Sequence, residues 1–323
     1  MIREHYGKKA SEDSKIGEEV HLIEYNSNRE MRATKVASNT KLQIVSDANA
    51  TLFCISVDGS SHSDTAFNIV SEEFLKLSSS MLVVHIYNEK YNEHFNWRNK
   101  KETIVENYGS KLSRFSTSKF MIEDKTKDCV HVMEQVHNFA LHFKAQFLVS
   151  GYYGIKGPKG DNAELSKGVH YLLGNSKINT IMIKDTGLRS TKKQKGYNWL
   201  VVMDKKYSRP VKCLHAFSQL INPENDFVYG LTLKEFNQND GDDVKELFME
   251  EVKAKGLKNY SYEFMCYDKV ASKVVTEKVN FADIGFDFLV MYNNRDKYLN
   301  EGQESDIVNI VKNCLCTICI FNF

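Results

Sequence analysis

One stretch of this sequence occurs twice. Gln146-Phe147-Leu148-Val149-Ser150-Gly151-Tyr152-Tyr153-Gly154 is an apolar run that stops at Gly-x-x-Gly, and Asp287-Phe288-Leu289-Val290-Met291-Tyr292-Asn293-Asn294-Arg295 repeats it without the glycines. A short unbroken apolar run ending in a turn signal reads as a strand buried on both faces. Such strands belong to parallel sheets covered by helices, so the repeat restricts the chain to an α/β architecture in two copies. Glycine reaches φ > 0 cheaply and lets a ligand approach the backbone. The first copy is therefore read as opening into a phosphate-sized turn, and the second as its blunted counterpart.

The surroundings of each copy agree. In the first half, residues 52–57, 81–87 and 178–183 have strand length and apolarity, and 120–122 marks a weaker strand. Helical spacing links Ala66, Phe67, Ile69, Val70, Phe74 and Leu75, with Ser61 or Ser63 as the cap. Further helices are expected near 102–115, over 129–144 and through Tyr171, Leu172 and Leu173. The pattern restarts with strands at 199–204, 227–233, 260–267, 286–292 and 316–321. Between them lie helices at 211–220, 244–255, 271–281 and 307–313. Each half is thus expected to be a doubly wound, Rossmann-like domain: a five-stranded, mostly parallel sheet with helices on both faces. The boundaries are an arm at 1–47, a first domain at 48–186, a linker at 187–196 and a second domain at 197–323.

The arm is polar and aperiodic apart from Val20-His21-Leu22-Ile23 and Leu42-Gln43-Ile44-Val45. It reads as a loosely docked tail, or else as an arm that folds on a protein partner or along the protein's own surface. The linker's four cations read as a solvated connector. Lys and Arg number 43 against 42 Asp and Glu, a balance that leaves no footprint for nucleic acid or an acidic membrane. No apolar run approaches the ~18 residues of a spanning helix, and the first nine residues lack a secretory core. The seven cysteines lie mostly in apolar segments, as small hydrophobes do in a reducing compartment, so a cytoplasmic setting is expected. Cys314, Cys316 and Cys319 read as core residues, and His131, His137 and His142 as a solvated face, so no metal site is expected. No nucleophile–base pair, Gly-x-Ser-x-Gly or P-loop occurs, which argues against an enzyme.

Ligands of doubly wound sheets sit outside the carboxyl ends of the strands. Here those ends supply Ser56, Val57 and Asp58, then Ile86, then Ser150 and Gly151. The Gly151/Gly154 turn offers backbone N–H groups to an anion, and Asp58 is an acceptor suited to a ribose hydroxyl or an adenine amino group.

Ile55-Ser56-Val57-Asp58-Gly59-Ser60-Ser61-His62-Ser63, Val83-Val84-His85-Ile86 and Phe147-Leu148-Val149-Ser150-Gly151-Tyr152-Tyr153-Gly154 resemble the universal stress protein family. The resemblance covers residues 50–185 with motifs and 197–323 by pattern only, as in a tandem form with a degenerate second domain. It implies ATP as cofactor, through a pattern G-x2-G-x9-G-[S/T], and pairing of the two halves through their last strands as an internal pseudo-dimer. By position it implies that Asp58 contacts adenosine, Ile86 packs on adenine, and Gly151 and Gly154 cradle phosphate. Where the pattern wants Gly-Ser, the chain has Glu164-Leu165. Aligning on the helix and last strand instead puts Ser166-Lys167 there, followed by Gly168, with Lys156, Lys159 and Lys167 to neutralise phosphate. In the second half Asp204 survives, but Tyr292 and Arg295 stand where the glycines would be, so that half is expected to be structural. The expected function is a non-catalytic module that binds adenine nucleotide and acts through protein–protein interaction. The alternative is a nucleotide-free scaffold in a larger assembly, with a slow ATP hydrolase third.

Overall fold

The apolar runs form strands, and the strands join into a single twelve-stranded sheet. A computed structural model of the chain describes residues 19–25, 31–37, 51–88, 100–115, 118–125, 131–155, 157, 165–184, 186–192, 195–203, 216–235, 242–267, 271–293 and 306–322. A hairpin of β1 (Glu19–Tyr25) and β2 (Met31–Ala37) comes first. The first half then runs β3 (Leu52–Ser56), α1 (Ser61–Ile69) with a π turn (Val70–Phe74), β4 (Ser80–Tyr87), α2 (Lys101–Leu112) and β5 (Lys119–Asp124). It continues with α3 (Val132–His142), β6 (Phe147–Gly151), α4 (Lys167–Asn175) and β7 (Asn179–Ile183). The second half repeats this with β8 (Asn198–Val202), β9 (Phe227–Glu235), α5 (Asp242–Ala254), β10 (Asn259–Tyr267) and α6 (Ala271–Phe281). It ends with β11 (Phe288–Tyr292), α7 (Asp306–Asn313) and β12 (Thr317–Phe321).

The strand order is β10-β9-β8-β11-β12-β7-β6-β3-β4-β5-β1-β2. Within each half the five strands are parallel, and β12 meets β7 antiparallel with Cys319 opposite Ile181. The halves are therefore related by an internal two-fold. Backbone bonding at the junction obeys it. The N–H of Lys184, just past β7, donates to Thr317 Oγ1 (3.0 Å), and that of Asn322, just past β12, donates to Asn179 Oδ1 (3.1 Å). Among the described residues no helix is long and apolar enough to cross a membrane.

Three features refine or correct the sequence reading. Of the two readings of the patch around Leu22, the structure shows an arm folded along the protein's own surface: β1 adds antiparallel to β5, with Leu22 opposite Met121, and Leu22 is buried in the core. The patch at 42–45 lies outside the described residues, as do Cys129, Cys213 and residues 211–215 of the expected 211–220 helix. Ser60, rather than Ser61 or Ser63, caps α1: its Oγ accepts from Ser63 N–H at 3.3 Å. Ser61 is already the first helical residue.

The third difference concerns the linker. Arg189 is buried, not solvated. Its guanidinium donates to both oxygens of Asp226 (2.8 and 2.5 Å) and to Glu73 Oε2 (2.9 Å), and it stacks on the Tyr197 ring at 4.3 Å. Glu73 belongs to the π turn after α1, whereas Asp226 precedes β9, so the linker arginine ties one half to the other. Asp226 is fully buried, yet it also accepts from Tyr197 N (2.9 Å), Trp199 Nε1 (3.0 Å) and Asn222 N (2.9 Å). Beside it an aromatic chain crosses the boundary. Phe53 packs on Phe147 (5.1 Å) and Phe147 on Phe321 (6.3 Å), while Phe74 meets Trp199 (6.2 Å) and Phe288 (5.9 Å).

Removing one partner of a buried ion pair leaves the other charge uncompensated, at a cost of about 3–5 kcal/mol. Arg189→Ala is expected to lower unfolding free energy by that amount in urea titrations. Arg189→Lys should recover only part of it, because an ammonium cannot span two carboxylates as a planar fork does.

Candidate functional site

The topology defines one crevice in the first half. α1 and α2 cover the face carrying Phe53, Ile55, Val83 and Val149, while α3 and α4 cover the face carrying Cys54, Val84 and Leu148. β3 lies between β6 and β4, and the chain leaves β3 and β6 for opposite faces. The switch point therefore falls between β3 and β6 at their carboxyl ends.

Two turns meet there. Asp58 closes the first: Oδ1 accepts from Ser60 N–H (3.0 Å) and Oδ2 reaches across to accept from Ile155 N–H (3.0 Å). Gly59, at φ 79°, makes the bend that returns the chain into α1. Beneath lies a buried polar support. Asp58 N–H donates to Ser63 Oγ (3.3 Å), which sits 3.1 Å from the Tyr108 hydroxyl, and that hydroxyl donates to Asp64 Oδ1 (2.8 Å). Burial pushes the Tyr108 hydroxyl well above the ordinary tyrosine range, so it stays a donor.

In the second turn neither Gly151 nor Gly154 has a positive φ, contrary to the reason the sequence suggests. Both are required for close approach instead. A Cβ on Gly151 would lie 2.7 Å from His62 Cβ and 2.9 Å from its carbonyl carbon, because the first turn of α1 rests on the end of β6. A Cβ on Gly154 would lie 2.7 Å from Asp58 Oδ2. The first glycine seats a helix and the second admits a carboxylate.

The other expected site residues divide. Ser56 and Val57 end β3 beside Asp58. Ile86 is buried in the α3/α4-side core with Leu82 and Val84. Ser150 is almost fully buried at the end of β6, and its Oγ has no hydrogen-bond partner. Ser166 caps α4, accepting from Val169 N–H at 3.2 Å, with Lys167 exposed behind it. Gly168 lets α4 approach α3, since a Cβ there would meet Met133 Cγ at 3.1 Å. These three residues thus build a helix start. Leu165, in the Gly-Ser place of the unshifted pattern, is a core residue packed with Val169, Leu173 and the second half. Lys156, Lys159 and Glu164 lie outside the described residues.

His85 was missed in sequence, although a lone polar residue inside the apolar run of β4 was the available signal. Its Nδ1 lies 2.8 Å from the Val57 carbonyl, while Nε2 is buried without a partner. His137 is also buried rather than solvated: Nδ1 lies 3.3 Å from the Tyr171 hydroxyl, and Nε2 accepts from Lys177 N–H at 3.2 Å.

The strand ends of the second half differ from those of the first. Tyr292 ends β11 where Gly151 ends β6. Next to it, Asn293 is buried, donating from Nδ2 to the Leu173 carbonyl (2.8 Å) and to Asn322 Oδ1 (3.1 Å). Asp204 and Arg295 lie outside the described residues. Cys314, Cys316 and Cys319 are buried, while Cys266 is exposed.

No family model and no curated protein matches the sequence. Solved structures do match. A universal stress protein from Archaeoglobus fulgidus superposes with a TM-score of 0.57 at 11% identity, covering 84% of this chain and 98% of that one. The fold is that of the universal stress proteins. A putative universal stress protein from Pseudomonas aeruginosa UCBPP-PA14 matches with a TM-score of 0.57 at 10% identity, over 84% and 92% of the two chains. A protein of unknown function from Pseudomonas aeruginosa PAO1 gives 0.58 at 9% identity, over 84% and 92%. Coverage of this size takes in both halves, so the universal stress protein fold is present in tandem.

Two measurements check the geometry. Gly151→Ala drives a methyl into the backbone of His62 and is expected to cost about 1–3 kcal/mol in urea titrations. Gly154→Ala meets the Asp58 carboxylate rather than backbone, so that side chain must shift, and it should cost less than Gly151→Ala. Burial lowers the His85 pKa, with the Val57 hydrogen bond and Asp58 opposing, so the folded state favours the neutral ring. The stability that this ring contributes is present above the unfolded histidine pKa of about 6.5 and is lost as pH falls below it, by at most about 1.4 kcal/mol per pH unit. Part of the decline in urea midpoint between pH 7 and 5 should disappear in His85→Gln. His142, half-exposed and shifted the same way by burial, retains a smaller share.

Proposed function

We propose that this chain is a non-catalytic, nucleotide-responsive binding protein. Its first half takes an adenine nucleotide, with ATP as the expected ligand, in the crevice between β3 and β6. Its second half serves as a permanent pairing surface, and the assembly acts on a protein partner. The observation that carries this reading is the meeting of Asp58 with the Gly151–Ile155 turn at the switch point of a sheet with the universal stress protein fold. Ser150 Oγ, at the end of β6, is buried and unpartnered and is the polar group beside the turn that a ligand would satisfy; His85 Nε2, also unpartnered, lies on the other face of the sheet. The arrangement offers hydrogen-bond acceptors and N–H donors but no activated nucleophile, which supports binding rather than turnover. The buried thiols fit a reducing, cytoplasmic setting.

A second reading, a nucleotide-free scaffold, draws support from Leu165. A core leucine occupies the place of the expected Gly-Ser, and the shifted alternative, Ser166, is committed to capping α4.

Equilibrium dialysis of the full chain with labelled ATP separates the two. Saturable binding at one site per chain is expected. Gly154→Tyr, whose side chain would fill the front of the turn, should abolish it in protein that circular dichroism shows to be folded. Absence of binding in the wild type, or undiminished binding in Gly154→Tyr, favours the scaffold.

A further inference from the structure

We infer that the first-half crevice selects the nucleoside end of its ligand and discriminates against the phosphate end, because Asp58 already serves as the anion of the glycine turn. This rests on the nucleotide-binding reading above and specifies which part of the nucleotide supplies the affinity.

Three of the N–H donors around the turn are already committed. Around the turn, Tyr152 N–H donates to the Ile183 carbonyl (2.8 Å), Ile155 N–H to Asp58 Oδ2 (3.0 Å) and Gly157 N–H to the Gly154 carbonyl (2.9 Å). The Asp58 oxygen also lies 2.7 Å from the position a Gly154 Cβ would take, so the carboxylate lies over the glycine that would otherwise face a phosphate. Nor is Asp58 a loose side chain that a ligand could sweep aside at no cost. Its other oxygen accepts from Ser60 N–H, and its own N–H is held by Ser63, which the Tyr108–Asp64 pair supports from below. A phosphate at the Ile155 N–H would stand within about 4 Å of this carboxylate, where like charges repel strongly in partly buried surroundings.

The neighbouring polar groups have the opposite preference. A carbonyl oxygen can only accept, so the 2.8 Å contact with Val57 assigns the proton of His85 to Nδ1. Nε2 is then a lone pair, buried without a donor, one strand away from Asp58. Ser150 Oγ, buried at the end of β6, is equally without a partner, but on the opposite face of the sheet, and takes no part in this preference. Asp58 and His85 Nε2 can only accept, which suits a ligand that presents N–H and O–H donors, as the amino group and ribose hydroxyls of a nucleoside do, and disfavours a triphosphate.

The test is calorimetric titration of the full chain and of Asp58→Asn with ATP and with adenosine. Asparagine keeps an acceptor for Ile155 N–H and removes the charge. The wild type is expected to bind adenosine at least as tightly as ATP, and Asp58→Asn to bind ATP about tenfold tighter than the wild type does. Adenosine affinity should change little or fall. A second arm needs no variant: raising ionic strength screens the repulsion, so the wild-type affinity for ATP relative to adenosine should rise. If the wild type prefers ATP and Asp58→Asn weakens ATP, the inference is overturned while nucleotide binding stands. If neither ligand binds either protein, both the inference and the nucleotide-binding reading fall.

Discussion

The architecture depends on one buried carboxylate. Asp226 has no contact with water, and a lone charge in that position would be very costly. It is tolerated because Arg189, two backbone amides and the Trp199 indole all donate to it. The same arginine carries Glu73 on its other side. Satisfying Asp226 therefore draws the linker, the π turn after α1 and the start of β8 to one point. The aromatic chain from Phe53 to Trp199 can pack only when they are there. Polar satisfaction and apolar packing thus specify the same arrangement of the two halves.

Much of this fold was legible in the residues. Strands buried on both faces write themselves as unbroken apolar runs, and β3, β4, β6, β7, β11 and β12 lie within a residue or two of the runs that announced them. What stayed hidden was which polar residues are buried. Nothing local separates Arg189 from the other cations of its linker, because its burial follows from Glu73 and Asp226, which are distant in sequence. His137 looked like a member of a polar helix face for the same reason: its partners Tyr171 and Lys177 come from the next helix and the loop after it. The candidate site was half legible. Asp58 and the two glycines do meet, but the glycines are explained by His62 and by Asp58 itself, neighbours that only the folded sheet supplies.

The internal two-fold makes the halves a comparison within one molecule. Gly151 and Tyr292 end equivalent strands, and Tyr152 and Asn293 follow them. In the first half Tyr152 N–H bonds within its own half, to Ile183; in the second, Asn293 turns to the Leu173 carbonyl and helps hold the halves together. Lys184 and Asn322 are a similar pair. Lys184 is buried, its ammonium donating to the Val311 and Cys314 carbonyls at the end of α7, and burial brings its pKa down to about 8. Asn322 makes uncharged bonds to the Ile178 carbonyl and to Asn293. One side of the junction is ionic and the other neutral, so the halves are no longer interchangeable.

The β7–β12 junction has a kinetic meaning as well as a structural one. Two separate subunits paired through these strands would come apart on dilution. Here the linker makes the encounter intramolecular, at an effective concentration of order millimolar for a short tether. Association of the halves is then a folding step rather than an equilibrium between molecules. The paired state carries no dependence on how much protein a cell makes, and either half can diverge in sequence without the other losing its mate.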